Sequence, residues 1–98
     1  MNWTITYRRQ ARKDVAEIYD YYEARRVGLG EDFLLKHDDG IARMMNMPLA
    51  SRQIWKDVRR VLLDRFPYAV FYRVLGARVI VLTVYHTRRN PAGWQGRA

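Results

Sequence analysis

Cysteine is absent from this chain, and histidine occurs only twice in its 98 residues. Without thiols there is neither a disulfide frame nor a thiolate metal site, and two isolated histidines do not make a zinc set. The expectation is a reduced, cytoplasmic protein with no metal and no cofactor. Long apolar runs are missing too, since nothing approaches the ~18 consecutive apolar residues of a membrane helix. The N-terminal MNWTITYRRQ has no apolar core behind its charges, so no secretory signal is expected. Acids are scarce in one half only. Residues 1–50 hold eight Lys/Arg and eight Asp/Glu, whereas residues 51–98 hold ten against two, Asp57 and Asp64, and so carry the whole net charge of +8. Fifteen of the eighteen cations are arginine, whose planar fork of donors suits phosphates and carboxylates. An anionic partner, either nucleic acid or an acidic protein segment, is implied.

A hydrophobic fraction of 49% argues against disorder and for one domain spanning residues 1–98. Trp3, Ile5 and Tyr7 alternate with polar neighbours at the period of a half-buried strand. Ala11, Val15, Ile18, Tyr19 and Tyr22 recur at three- and four-residue steps, predicting an amphipathic helix over residues 10–26. Asp14, Glu17, Asp20 and Glu23 are expected on its solvent face. Gly28 and Gly30 break the pattern. A second helix is expected over residues 31–45, with Phe33, His37, Ile41 and Met44 on its buried side. Gly40 inside it costs about 1 kcal/mol relative to alanine unless something packs closely there.

Three β-rich segments follow, Asp57–Leu63, Tyr68–Leu75 and Arg78–His86. Gly76-Ala77 fits a two-residue hairpin with glycine first, as a type II′ turn requires. Simple alternation would place Val70, Tyr72, Val74, Ile80, Leu82 and Val84 under the helices. Phe71, Arg73, Val81 and Tyr85 would then lie on a partly open face fit for a ligand chain. The architecture is α+β, in the order βααβββ, with the N-terminal strand and helical hairpin packed on a mainly antiparallel sheet.

The string VRRVLLDRFPYAVFYRV (Val58–Val74) followed by VYHTRRNPAGW (Val84–Trp94), with ARKDVAEIYDYY (Ala11–Tyr22) upstream, resembles the RelE/ParE superfamily of bacterial toxins. These toxins belong to type II toxin–antitoxin modules, often described as plasmid stabilisation proteins. The likeness covers nearly the whole chain and implies two alternative activities. RelE-like members cut messenger RNA on the ribosome, needing an acid, a base and cations around the phosphate. ParE-like members inhibit DNA gyrase. On the ribonuclease reading the catalytic set would be His86, Arg88 and Arg59. However, Ala69 stands where that branch usually carries an arginine, and no tyrosine follows Arg88. The favoured reading is therefore a ParE-like gyrase inhibitor neutralised by a cognate antitoxin.

The cations expected to meet a target or other anion are Arg59, Arg60, Arg88 and Arg89. An antitoxin would present an acidic C-terminal segment to the basic sheet half, with Phe71, Arg73, Tyr85, Met45, Met47 and Leu49 as its contacts. Trp94 reads as a latch packed on the core. A basic nucleic-acid-binding module is the remaining alternative, although no groove-reading helix is evident.

Overall fold

The computed structural model describes residues 2–98. The elements run β1 (Thr4–Tyr7), α1 (Arg9–Arg25), α2 (Leu29–Asn46), β2 (Arg59–Leu62), β3 (Tyr68–Leu75), β4 (Arg78–His86) and the short α3 (Ala92–Gln95). The order βααβββ is as expected, with α3 added at its end. The strands form one sheet in the order β1-β4-β3-β2, antiparallel except for the β1–β4 pair. Among the described residues, no helix is long and apolar enough to cross a membrane.

The hairpin of α1 and α2 turns at Gly28, whose φ of +92° suits a residue without a Cβ. The break is at this one glycine. Gly30 already lies in the first turn of α2, buried against Tyr19, and both glycine N–H groups donate to the Glu23 carboxylate. Gly40 is explained by close packing from the sheet side. A Cβ there would lie 2.6 Å from Cδ2 of Leu63, just beyond β2. His37 is buried as expected, between the Tyr7 hydroxyl and the Asp38 carboxylate.

The β3–β4 hairpin turns through Gly76 at φ +60°, and Leu75 faces Arg78 across it. Higher up, the register shifts: Tyr72 faces Val81 but Phe71 faces Thr83, leaving Leu82 unpaired as a bulge. This bulge corrects the expected faces. Val79, Val81 and Val84 pack with Val70 and Tyr72 under the helices, while Ile80 and Leu82 turn to the opposite side with Phe71 and Tyr85. Strict alternation fails because one extra residue resets the phase of β4.

The opposite face is not open. Val58, Ala69, Phe71, Leu82, Tyr85 and Trp94 form a second core there. Both faces of the sheet are therefore covered, one by the helix hairpin and the other by α3 and the segment before β2.

Two tyrosines make this packing sensitive to alkali. Burial first, and then the Asp38 carboxylate, push the Tyr7 hydroxyl up to about 12, against an opposing pull from Arg12. Tyr68 is also pushed up to about 12, by burial and then by Tyr22. A phenol whose pKa in the folded state exceeds its unfolded value contributes stability that is fully present below pH ~10 and lost as pH rises through ~12. Denaturant titrations should show stability falling across that window, and Tyr7→Phe with Tyr68→Phe should flatten the fall. A decline of unchanged steepness in the double variant would contradict this origin.

Candidate functional site at the end of the last strand

Strand β1 is shorter than β4. Its pairing ends with Tyr7 opposite Val81, after which the Arg8 N–H reaches the Val81 carbonyl. Beyond that point the edge of β4 has no strand beside it, and a side chain takes over. Asp14 of α1 accepts the Val84 N–H at 3.1 Å and the Thr83 hydroxyl. Its other oxygen accepts from Gln10 at 2.8 Å and from the Arg97 guanidinium at 3.0 Å. Arg97 also donates to the Thr83 hydroxyl. Asp14 is only 5% exposed, which corrects its expected place on the solvent face. Four donors offset the cost of burying the carboxylate, a cost of several kcal/mol if it were left unpaired.

The legible signal for Asp14 was its spacing. It stands three residues after Ala11 and four before Ile18, the other buried positions of α1. Arg97 and Thr83 left no such signal.

Arg97 ties down the C-terminal segment. Asn90 accepts the Ala92 N–H through Oδ1, and Pro91 follows it, a local start signal for the short α3. Trp94 then stacks on Phe71, with ring centroids 4.3 Å apart and planes 18° from parallel, and meets Trp55 edge-on. It is the latch that was expected. Gly93 permits the approach, since a Cβ there would overlap the Tyr85 hydroxyl and lie 2.6 Å from Cζ of that ring.

Beside this junction lies a cleft of about 220 Å³ lined by Asp14, Glu17, Tyr68, His86, Arg89 and Arg97, among others. His86 packs edge-on against Tyr68, and its Nδ1 accepts the Arg88 N–H at 3.1 Å. That bond leaves the ring proton of the neutral form on Nε2. Arg89 lies over the Tyr85 ring at 5.3 Å.

The structure separates the other expected site residues. Arg59 sits on β2 opposite Tyr72, whereas His86 lies opposite Tyr68, so two strand spacings and four residues along β3 divide them. The guanidinium of Arg59 is spent on the carbonyls of Leu49 and Ser51, pinning the loop before β2. His86, Arg88 and Arg59 are therefore not gathered into one site. Arg60, Arg88 and Arg89 are exposed.

The expected antitoxin contacts divide as well. Phe71 is 2% exposed and Tyr85 7%, both covered by the C-terminal segment, so neither is an open anchor in this structure. Arg73 is paired with Asp57. Met45 is half-buried on the main core, while Met47 and Leu49 are exposed and line a shallow cleft with Trp3.

A family model described as the ParE toxin of the type II toxin–antitoxin system, parDE, matches residues 5–91. The chain belongs to that family. A solved structure titled the chromosomal ParDE TA system from P. aeruginosa is similar at 25% identity and a TM-score of 0.63, covering 88% of this chain and 97% of that one. No curated protein matches the chain. The match to the ParE family ends at Pro91, so Trp94 and Arg97 lie beyond it.

The close approach at Gly93 generates a test of the latch. Gly93→Ala should lower stability by roughly 1–3 kcal/mol through steric overlap with a buried ring. Stability would be read by chemical denaturation, and hydrogen exchange should show faster opening of residues 92–97. A variant as stable as the parent would mean that α3 does not sit on Tyr85 as described.

Proposed function

We propose that this toxin acts by inhibiting DNA gyrase in the cytoplasm and is neutralised by a cognate antitoxin. The observation that carries the reading is the family match over residues 5–91. The geometry of the basic residues supports it. Messenger cleavage calls for an acid, a base and phosphate-binding cations converging on one scissile bond. In this chain His86 and Arg59 stand far apart across the sheet, and Arg59 is occupied by backbone carbonyls. What remains exposed, at Arg60, Arg88 and Arg89, is suited to gripping a partner.

Purified toxin should stop gyrase-dependent supercoiling while leaving transcripts intact in a translating extract. Arg88→Glu with Arg89→Glu should weaken the inhibition by ~10-fold or more, about 1.4 kcal/mol of lost binding, without unfolding the chain. Codon-phased cuts in the messenger that disappear with His86→Gln would replace this reading with the ribonuclease one.

A further inference from the structure

Asp64 is the last acid of the chain and Asp14 the first, so every charged side chain in residues 1–13 and 65–98 is cationic. The fold brings the ends of these two stretches together. Arg8, at the start of α1, donates to the Ala98 carbonyl at 3.4 Å. Arg97 and Arg89 each lie 5.3 Å from the centroid of the Tyr85 ring. The start of α1, the C-terminal latch and the turn after β4 therefore form one continuous rim. Among the described residues, its Arg8, Arg9, Arg88 and Arg89 are exposed and meet no carboxylate.

Two acids line the cleft beside the rim, Asp14 and Glu17, and both already face cations, Arg97 at 3.0 Å and Lys13 at 3.9 Å. The four free arginines keep their charge. Helix α1 opens against its own dipole. Arg8 is its N-cap and makes no side-chain capping bond, Arg9 follows, and the first turn holds no acid. Cations are unfavourable at the positive end of a helix, and a docked anion relieves the repulsion. On the other side of the latch the turn is held firmly. Thr87 N–H bonds to the Pro67 carbonyl, Arg88 N–H to the His86 ring and Arg89 N–H to the His86 carbonyl. Little backbone freedom is lost when an anion docks there.

Side-chain chemistry identifies the occupant. Protein partners are held mainly by apolar anchors, and the large rings at this rim, Tyr85 and Trp94, are buried. Tyr21 is exposed in the neighbouring cleft, but Arg25 lies over its ring at 4.4 Å. What the turn exposes is Thr87, Arg88, Arg89 and Asn90, whose hydroxyl, guanidinium and amide groups suit phosphate oxygens. Single strands are gripped by stacking their bases on open aromatic rings, which this rim lacks. A duplex offers phosphates without asking for stacking. We infer that the rim formed by Arg8, Arg9, Arg88 and Arg89 binds the sugar–phosphate backbone of duplex DNA without reading its sequence. This partner goes beyond the gyrase contact proposed above and does not depend on it.

The test is fluorescence anisotropy of a short labelled duplex of arbitrary sequence, titrated with the full toxin in the absence of gyrase at several salt concentrations. Each phosphate contact contributes about −0.9 to the slope of log affinity against log salt, so four arginines should give roughly −3 to −4. Arg9→Gln with Arg88→Gln should reduce that slope by about 2 and weaken binding by ~10-fold or more. The control pair is Arg52→Gln with Arg78→Gln, which removes the same charge from the loop before β2 and the far end of β4. It should leave the slope unchanged. Circular dichroism checks the fold of each variant, and the slope of the parent needs no variant. A duplex that fails to bind at low salt, or a control pair that loses as much as the rim pair, overturns the proposal. A single strand bound more tightly than the duplex overturns the choice of duplex, and polyglutamate bound as tightly overturns the choice of nucleic acid. Absent DNA binding with supercoiling still inhibited sinks the rim and spares the gyrase reading. DNA binding with supercoiling unaffected does the opposite.

Discussion

The carboxylate of Asp14 is the constraint on which the arrangement of this molecule depends. Strand β1 pairs only with Arg78–Val81 of the nine-residue β4, and beyond that point the N–H of Val84 would face nothing. An acid from the helix layer fills the gap and in doing so binds Thr83 and Arg97 as well. Helix α1, the upper part of β4 and the C-terminal segment thus meet at one buried charge. An unpaired buried carboxylate is costly, so the junction holds only when its donors are all in place.

From that junction the second core follows. Arg97 fixes the segment that carries Trp94, Trp94 covers Phe71, and Gly93 lets the helix approach Tyr85. The aromatic face of the sheet is thereby buried. Among the groups left on the surface are arginines near the end of β4 and on β2 and the Met47–Leu49 patch. In this ParE-family toxin Phe71, Tyr85 and Trp94 are held inside, while Arg60, Arg88 and Arg89 stay on the surface.

Most of the architecture was legible because its signals are local and periodic. The stripes of α1 and α2, the glycine at the hairpin turn, and the bounds of β3 and β4 all came through. The two faces of β4 did not, because a bulge at Leu82 leaves no mark in the pattern of apolar residues. Burial of Phe71 and Tyr85 was missed for a related reason: the cover arrives from residues 92–98, whose few turns carry too little periodicity to read. Asp14 shows a different failure. Its spacing placed it between buried neighbours, but a carboxylate is assigned to water unless its donors are known, and three of its four donors lie 69 to 83 residues away. The set of His86, Arg88 and Arg59, named only for the alternative ribonuclease reading, is divided by the sheet, with Arg59 on β2 and His86 at the end of β4.

The most direct measurement of this account is a double-mutant cycle between Asp14→Asn and Arg97→Met, followed by chemical denaturation. If one buried charge joins α1 to the C-terminal latch, the two substitutions should be strongly non-additive. A coupling of roughly 1–2 kcal/mol is expected, discounted because Arg97 is one-third exposed. Losses that add to within ~0.5 kcal/mol would contradict the account, leaving the helix layer and the latch as independent parts.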